Sequence, residues 1–203
     1  MTNGFEVVLF DLGGVLIDLH GVASMKEMTN IESNDELWRR WLTCRWVRSF
    51  ERGTCSAEDF AVGVVNDWGL AVTPEAFLDS FGGWVVGPLA GADALLEMVR
   101  RTVPVGCLSN TNALHWERNS VRWPILDAFD FRFLSFEMGM VKPDAEIFDY
   151  VARLVPAPPS RVLFLDDNAV NVEAAVKAGF AAVRVKGVSE AHRVLASAGI
   201  IAT

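Results

Sequence analysis

The sequence has few cysteines, and their positions match no metal-binding motif. The three cysteines are odd in number and far apart, at Cys44, Cys55 and Cys107. Secreted proteins that rely on disulfides carry more cysteines in even numbers, and zinc motifs place them a few residues apart. We therefore expect three reduced thiols, which is typical of a cytoplasmic protein.

Long apolar runs are also missing. No uncharged stretch approaches the roughly 18 residues that a membrane-spanning helix needs. The first residues lack the basic and apolar segments of a signal peptide. We expect a protein of the cytoplasm with no membrane partner.

Positive charge is scarce. The chain has 18 basic and 26 acidic side chains, which gives a net charge of −8 and a pI near 4.9. Surfaces that bind nucleic acid or anionic membranes need a basic excess, so the composition argues against both partners. A small anionic substrate remains compatible, because a metal ion and one local cation can reverse the field inside a site.

The apolar content is sufficient for a large core. Of the 203 residues, 51% are hydrophobic and 22% are charged, as in ordinary globular proteins. A chain of this length can form one large domain, or a main domain with a smaller partner.

The segment around which the chain is organised lies near its start. The run Val7-Val8-Leu9-Phe10 predicts a short buried strand, and Asp11 and the pair Gly13-Gly14 follow it. In an open parallel sheet, ligands bind beyond the carboxyl ends of the strands, so we expect Asp11 at a binding site. An ordinary strand followed by a turn would give the same local pattern.

Residues 15–18 predict a second short extended piece, and residues from about 19 to 87 predict a helical subdomain without strands. Capping residues or a first-turn proline precede apolar positions at helical spacing near Asn34, Ser56 and Thr73-Pro74. Tryptophans are frequent in this block. We expect most of them in its core, and one or two facing a substrate.

After residue 88 the pattern changes to alternating strands and helices. The predicted strands cover 103–108, 131–135, 162–165 and 182–185. Repeated strand–helix units imply a parallel sheet with helices on both faces. We therefore predict an α/β protein with a doubly wound, Rossmann-like core of residues 1–17 and 88–203, into which residues 18–87 are inserted as a helical cap.

Polar side chains lie at four strand ends or loops of this predicted fold. They are Asp11, Ser109-Asn110, Lys142 and Asp166-Asp167. Taken singly, a turn, a surface lysine or a helix cap would explain each. Together they fit phosphoryl transfer, in which a carboxylate forms an aspartyl-phosphate and further carboxylates hold Mg²⁺. A hydroxyl, an amide and an ammonium group would then bind the phosphoryl oxygens.

Four motifs resemble, in order, those of the haloacid dehalogenase (HAD) superfamily of hydrolases. They are Phe10-Asp11-Leu12-Gly13-Gly14-Val15-Leu16, Leu108-Ser109-Asn110, Val141-Lys142-Pro143-Asp144 and Leu163-Phe164-Leu165-Asp166-Asp167-Asn168. The resemblance extends over residues 7 to about 185, and the helical block matches that superfamily's cap. The turn Glu51-Arg52-Gly53 is similar to the cap turn of the branch with α-glucose-1-phosphate phosphatases and the phosphatase domain of soluble epoxide hydrolase.

The resemblance implies a Mg²⁺ site and a nucleophile. Asp11 would be both the nucleophile and a Mg²⁺ ligand, and the Gly13 carbonyl and Asp167 would be the other protein ligands. Asp166 and Asn171 would steady metal-bound waters. We accordingly expect the carboxylates of Asp11 and Asp167 within about 5 Å of each other.

The resemblance also implies a phosphoryl-binding set. Ser109 and Asn110 would bind the phosphoryl group, and Lys142 would neutralise it and orient Asp11. We expect Lys142 to be ion-paired with Asp11 or Asp167 rather than solvated, because an uncompensated acidic cluster would destabilise the fold.

One position departs from the phosphatase pattern. Phosphatases of this superfamily usually carry a second Asp two residues after the nucleophile as general acid and base, and that position here is Gly13. General acid–base assistance is typically worth about 10²–10⁴-fold. We therefore expect slow turnover, an acidic leaving group or an acid supplied from elsewhere. Asp18 is one candidate acid, and a solvated flap residue is the alternative.

Three functions remain open. We expect a Mg²⁺-dependent phosphomonoesterase acting on a small phosphorylated metabolite, and sugar 1-phosphates are the first class to test because an anomeric oxygen leaves readily. A non-catalytic phosphate-binding relative would also fit Gly13. A 2-haloacid dehalogenase likewise lacks the second Asp, but it would not need the pair Asp166-Asp167 to hold a cation. The sequence leaves the oligomeric state open.

Overall fold

The computed structural model describes residues 4–202, apart from the side chain at position 35. Positions 1–3 and 203 of the predicted core lie outside the described residues. The strands are β1 (Val7–Phe10), β2 (Ile17–Leu19), β3 (Val85–Pro88), β4 (Val105–Ser109), β5 (Phe131–Leu134), β6 (Val162–Asp166) and β7 (Ala181–Arg184).

Five of these strands form one parallel sheet in the order β5-β4-β1-β6-β7. The central strand is β1, and all of its residues are buried. Its last residue, Phe10, lies beside Cys107 of β4 and Leu165 of β6. A continuous apolar run suits this place, because both faces of a parallel sheet are covered. The predicted α/β fold is confirmed.

Helices connect the strands and build the inserted block. They are α1 (Gly21–Met28), α2 (Asn34–Thr43), α3 (Arg45–Glu51), α4 (Ala57–Trp68), α5 (Pro74–Gly82), α6 (Ala92–Arg100), α7 (Ala113–Ser120), α8 (Ser135–Met138), α9 (Ala145–Leu154), α10 (Ala169–Lys177) and α11 (Gly187–Ser197). None of these helices of residues 4–202 has the length and hydropathy to cross a bilayer.

Helices cover both faces of the sheet. On one face, Val8 and Phe10 pack in a cluster with residues of α6 and α11 such as Leu95 and Leu195. On the other face, Val7 and Leu9 share a cluster with residues of α9 and α10. The side chains of β1 alternate between these two clusters, as the pleat of a strand requires. The core is therefore doubly wound.

The inserted helices α1 to α5, which we call the cap, have a core of their own that is rich in aromatic rings. Phe60 lies at its centre, stacked on Phe50 with ring centroids 4.5 Å apart and 4.9 Å from Phe81. The expected helix starts are confirmed, because Ser56 accepts a hydrogen bond from the Asp59 N–H and caps α4. The cap is thus a second packed unit beside the sheet.

The short extended piece expected at residues 15–18 corresponds in part to β2, but the expectation that residues 19–87 contain no strand is wrong. Val85–Pro88 forms β3 and pairs antiparallel with β2, so the chain leaves and re-enters the core as a two-stranded ribbon. Gly and Pro at its end weaken the strand signal, and its partner lies in the ribbon rather than in the main sheet. The proposed domain boundaries, at 17/18 and 87/88, fall within this ribbon.

Candidate active site

The polar groups predicted from the motifs lie together at the carboxyl edge of the sheet. Asp11 directly follows β1, while Ser109 and Asp166 are the last residues of β4 and β6. These are the three central strands, so their ends converge on one place. Asp11, Ser109 and Asp166 are all less than one-tenth exposed.

Three carboxyl groups converge there. One oxygen each from Asp11, Asp166 and Asp167 lies within 4.8 Å of the others, which confirms the expected proximity of Asp11 and Asp167. Asp166 is held by the backbone N–H of Asn168 at 2.8 Å and by the side-chain amide of Asn171 at 3.1 Å. The cluster is therefore fixed from below by its own loop and helix α10.

The buried Lys142 ammonium compensates part of this charge. Its Nζ lies 3.0 Å from Asp11 Oδ1 and 2.7 Å from Asp166 Oδ2, and it donates to the Leu108 carbonyl at 2.8 Å. An ammonium group has three donors, and all three are used. The expected ion pair with Asp11 is confirmed. The second carboxylate partner is Asp166.

Burial dominates the protonation of these groups. It raises the pKa of Asp11 to about 7, against the opposing effect of Lys142, and it raises the pKa of Asp167 to about 6, reinforced by Asp166. For Lys142, burial favours the neutral amine, but Asp11 and Asp166 outweigh it and the net pKa shift is upward. Two of the three carboxyl groups thus lose their protons at higher pH than an ordinary aspartate, and a nearby cation would favour their ionised form.

The residues present fit a divalent cation. With all three carboxyl groups ionised, one lysine leaves two negative charges uncompensated, and oxygen ligands are those that Mg²⁺ prefers. Asn171 Oδ1 is buried without a partner among residues 4–202, so it can accept a hydrogen bond from a metal-bound water. Gly14 has φ +71°, and a Cβ there would lie 2.5 Å from Asp167 Oδ2. Only glycine leaves the room that this carboxylate needs.

Ser109 and Asn110 differ in how free their side chains are. The Ser109 hydroxyl has one long contact of 3.5 Å, to the Asn110 carbonyl. The Asn110 amide is bonded at both ends to the backbone of Lys142, at 3.0 Å and 2.8 Å. It therefore positions the Lys142 loop. Phosphoryl binding by Asn110 stays a prediction, and its backbone N–H is the group that would provide it.

A cavity of about 240 Å³ opens above these groups. We call Asp11, Ser109, Lys142 and Asp167 its floor. Its roof consists of apolar side chains of the cap together with one that lies two residues after it. They are Met25, Leu37, Trp38, Trp41, Phe81 and Trp84. Three tryptophans between residues 18 and 87 thus line the cavity, and that one or two of them face a substrate stays a prediction. Trp116 and Trp123 line it from the core side.

One acidic side chain that the motifs did not indicate also lines the cavity. Glu51, the last residue of α3, is half-buried and faces Lys142 of the core and Arg48 of its own helix. Burial raises its pKa to about 7, although Lys142 and Arg48 lower it, as do the polar groups of Trp41 and Asn110. The sequence signal was the turn Glu51-Arg52-Gly53, which marks the cap but assigns no role to Glu51.

Helix α3 is fastened to the core beside the floor. Arg48 and Arg52 both bind Asp144 Oδ2, at 2.5 Å and 2.6 Å. Gly53 has φ +68°, and a Cβ there would lie 2.7 Å from the Phe136 carbonyl oxygen of the core. The close approach at Gly53 and the double ion pair together hold Glu51 over the cavity.

Asp18, the other candidate acid, does not line the cavity. It is partly exposed and lies 3.5 Å from His20, which agrees with a solvated flap residue. His115 is buried in packing, since its Nε2 lies 2.7 Å from the Phe81 carbonyl.

Comparisons with known proteins identify the family of the chain. A family model described as haloacid dehalogenase-like hydrolase matches residues 5–179. D-ribitol-5-phosphate phosphatase of Bacteroides thetaiotaomicron is 28% identical over 182 residues, which cover 85% of this chain and 88% of the relative. Sesquiterpene phosphatase astK of Aspergillus oryzae is 28% identical over 184 residues, covering 88% and 89%.

Not all similar proteins are named phosphatases. An (S)-2-haloacid dehalogenase of Pseudomonas fluorescens is 28% identical over 191 residues, covering 88% of this chain and 83% of the relative. Among solved structures, the HAD family enzyme bt-2542 of Bacteroides thetaiotaomicron, in complex with magnesium and inorganic phosphate, aligns with a TM-score of 0.69 and 27% identity, covering 90% of this chain and 95% of that one.

Proposed function

Because the chain belongs to the family of haloacid dehalogenase-like hydrolases, we propose that it is a Mg²⁺-dependent phosphomonoesterase acting on a small phosphorylated metabolite. The observation that carries this proposal is the floor itself, where Asp11 lies at the end of the central strand between the buried ammonium of Lys142 and the carboxylate of Asp167. The phosphatase names of two relatives support the same reaction class.

Asp11 is the proposed nucleophile, and its ester with the phosphoryl group is the proposed intermediate. The Ser109 hydroxyl and the Asn110 N–H bind phosphoryl oxygens, and Lys142 holds Asp11 in orientation and offsets charge. Asp11, the Gly13 carbonyl and Asp167 would hold the cation, which when bound lets two anions approach each other. Asp166 and Asn171 steady its waters.

The substrate and setting follow from the same features. A small phosphorylated molecule is the proposed partner, with neither nucleic acid nor a membrane, in keeping with the acidic net charge of −8. The three cysteines are free thiols, which favours a reducing compartment, and the cytoplasm is the proposed location. Relative rates on sugar phosphates and on apolar phosphate esters decide whether a sugar phosphate is the substrate.

The test uses p-nitrophenyl phosphate, whose leaving group needs little protonation. We expect turnover that requires Mg²⁺ and that Asp11→Asn abolishes, because an amide is a poor nucleophile and a poor ligand. Asp79→Asn, an exposed carboxylate of the cap, is the matched control and should retain wild-type rates. Equal rates in wild type and Asp11→Asn would overturn the proposal and leave a phosphate-binding relative without catalysis of its own.

Gly13 predicts a preference for acidic leaving groups, unless another residue supplies the proton. Gly13→Asp should narrow the gap between aryl and alkyl phosphates if the new carboxylate reaches the leaving oxygen. A Cβ at this position would lie 2.6 Å from Leu19 Cδ1, the end of a flexible and exposed side chain, so we expect Leu19 to move aside. If a folded Gly13→Asp variant kept the same ratio of aryl to alkyl rates, a carboxylate at this position would not protonate the leaving group.

A 2-haloacid dehalogenase is the second candidate, favoured by the Pseudomonas relative and by Gly13. It would use Asp11 to displace halide without a metal. The acidic cluster of Asp11, Asp166 and Asp167 argues against it, since that reaction needs no cation. Halide release from 2-chloropropionate in the presence of a chelator would establish the dehalogenase instead.

A further inference from the structure

The cavity above the floor is walled mainly by aromatic and aliphatic side chains. Trp38, Trp41 and Trp84 line it from the cap side, and Trp116 and Trp123 line it from the core. Trp38 keeps 37% of its surface exposed. Apolar surface inside a concave site gains free energy when a ligand covers it. The wall is therefore suited to a hydrocarbon rather than to a chain of hydroxyl groups.

Polar groups on the core side are partly used up by internal hydrogen bonds. The Asn112 side chain accepts from the His115 backbone N–H at 3.0 Å and contacts the His115 ring at 3.2 Å. The other ring nitrogen lies 2.7 Å from the Phe81 carbonyl. A polyol would bury hydroxyl groups against this wall, and each one without a partner would weaken binding.

We propose that the substrate class is the monophosphate ester of an apolar alcohol, such as an isoprenoid or arylalkyl phosphate, and not a sugar or polyol phosphate. This inference rests on the proposed phosphatase function of the floor. The phosphoryl group lies on the floor and the hydrocarbon lies under the roof, in contact with Trp38 and Trp41.

Four primary alkyl esters test the proposal at similar leaving-group acidity. We would measure kcat/KM with Mg²⁺ for citronellyl phosphate, phenethyl phosphate, glucose 6-phosphate and ribitol 5-phosphate. A hydrophobic site discriminates by about 10–200-fold for a single methylene, so we expect the two apolar esters to exceed the polar ones by at least about 100-fold. The ratio of citronellyl to phenethyl phosphate then separates isoprenoid from arylalkyl substrates.

A variant of the roof sharpens the test. Trp38→Ala should lower kcat/KM for citronellyl phosphate roughly tenfold and leave that for glucose 6-phosphate within about twofold, because only the hydrocarbon loses contact. Trp46→Ala is the matched control, since Trp46 lies on the cap outside the cavity and binds Asp67. It should leave both values unchanged.

The outcomes separate this inference from the proposed function. Asp11-dependent turnover in which glucose or ribitol phosphate equals or exceeds the apolar esters would overturn the inference and leave the phosphatase standing. Absence of turnover for all four esters and for p-nitrophenyl phosphate would overturn the phosphatase, and the inference with it.

A separate observation concerns the missing acid. In phosphoryl transfer the attacking and leaving oxygens lie roughly in line, so a leaving group opposite Asp11 points away from the floor and toward the cap. Glu51 is a cap carboxyl that lines this cavity, and it faces Lys142. Gly13 offers no proton donor at the usual place.

We infer that Glu51 is a catalytic residue that protonates the leaving group. As the Asp11 oxygen bonds to phosphorus and the ester P–O bond breaks, the leaving oxygen takes the Glu51 proton and departs as the alcohol. Water then attacks the phosphorus of the aspartyl-phosphate and gives a proton to the Glu51 carboxylate. The bond between phosphorus and Asp11 breaks, and inorganic phosphate leaves.

The surroundings of Glu51 suit a group that gives and takes a proton near neutral pH. Burial raises its pKa to about 7, against the lowering effects of Lys142 from the core and Arg48 from α3. The polar groups of Trp41 on α2 and of Asn110 after β4 also face it and favour the charged form. An acid–base pKa near the working pH is the most effective.

Glu51→Gln tests this role in two measurements. We expect phosphorylation by citronellyl phosphate to fall about 10²–10⁴-fold. With p-nitrophenyl phosphate the variant should release a rapid burst of one nitrophenolate per enzyme and then turn over slowly, because water attack lacks its base. The fall of the wild-type alkyl rate above pH 7 should be absent in the variant, and Glu51→Asp should restore part of the rate. Glu58→Gln, an exposed glutamate of the cap, is the control.

Equal losses of the aryl burst and of the alkyl rate would overturn the role of Glu51, because they would indicate a merely structural effect. Unchanged alkyl rates in Glu51→Gln would overturn it as well. Absence of any Asp11-dependent reaction in the wild type would instead overturn the proposed phosphatase.

Discussion

The floor and the roof of the cavity are built on opposite principles. The floor combines the charged side chains of Asp11, Lys142 and Asp167 with the Ser109 hydroxyl, and it is held by short ion pairs such as the 2.7 Å contact between Lys142 and the adjacent Asp166. The roof is the inner surface of an aromatic cluster in which Trp41 contacts four other rings. In the proposed function, the charged groups orient the reacting atoms, and the apolar surface binds the part of the substrate that is attached to the phosphoryl group. The nucleophile and the phosphoryl-binding groups of this proposed function belong to the core, and most of the groups that contact the rest of the substrate belong to the cap.

Replacing the positively charged Lys142 should have the largest effect on stability and turnover. Lys142→Met leaves the buried carboxyl groups of Asp11 and Asp166 without their partner, and breaking a buried ion pair in this way costs about 3–5 kcal/mol. We expect that loss in chemical denaturation, together with loss of turnover. Lys177→Met, an exposed lysine, should change stability by less than about 0.5 kcal/mol. Similar stability of the two variants would mean that Lys142 is not an essential part of the floor.

Damage to the roof's core should cost stability without removing the chemistry. Phe60 is fully buried, and Phe60→Ala should destabilise by about 3–5 kcal/mol through the cavity it leaves. Below its unfolding temperature the variant should still hydrolyse p-nitrophenyl phosphate with Mg²⁺. Val62→Ala, at an exposed position of the same helix, is the control. Complete loss of aryl phosphatase activity in a folded Phe60→Ala would contradict the separation of floor and roof.

Metal binding should stabilise the floor more as pH rises. Burial raises the pKa of Asp11 to about 7 and that of Asp167 to about 6, from 3.8. Carboxyl groups with raised pKa favour the folded state below about pH 4 and lose that contribution as pH rises to about 7. Mg²⁺ binds the ionised form, so its stabilisation should grow over the same range.

Thermal unfolding with and without Mg²⁺ at pH 5 and pH 8 measures this effect. At 100 times the Kd, a ligand adds about 2.7 kcal/mol, which corresponds to roughly 5–10 °C in Tm for a chain of this size. We expect that shift at pH 8 and a smaller one at pH 5. Asp167→Asn should reduce the shift at pH 8. A larger shift at pH 5 would contradict the assignment of these carboxyl groups as ligands.

The contact between the two regions should show the smallest effect on stability. Asp144→Asn weakens the ion pairs with Arg48 and Arg52, which are partly exposed, so we expect a loss of about 0.5–1 kcal/mol. The same variant should lower kcat for alkyl phosphates more than for aryl phosphates, because α3 also carries Glu51. Asp127→Asn, which removes an exposed pair with Arg132, is the control. Equal effects on both substrate types would separate the ion pairs from the positioning of Glu51.

Much of the acidic site was predictable because several of its residues lie at or directly after the ends of predicted strands. Asp11, Ser109 and Asp166 each end an apolar run, and parallel strands bring such ends together whatever lies between them. The contacts that these residues make with one another were harder to predict from the sequence. Lys142 bonds Asp166 as its second carboxylate, and the Asn110 amide binds the Lys142 loop, because these choices depend on loop paths that sequence spacing does not fix.

The roof was not predictable in the same way. Helices α1 and α3 begin without a side-chain cap, so their starts give no local signal. The strand β3 pairs with β2, and the whole cap lies between them in the sequence, so no local pattern indicates this pairing. Helical spacing predicts that Trp41 faces away from solvent, but it does not tell whether a side chain faces the cap core or the cavity. Glu51 lines the cavity because of the way α3 docks on the core, which no local pattern predicts.

The double ion pair at Asp144 couples the position of the cap to the position of Glu51, the proposed acid. Asp144 lies two positions after Lys142 on one loop, and its arginine partners lie on or directly after the helix that ends at Glu51. A movement of the cap that separates α3 from this loop would also withdraw the Glu51 carboxyl from the cavity. In the proposed mechanism, such an open form would lack the Glu51 base at the aspartyl-phosphate, so the water that enters it would not be activated for attack.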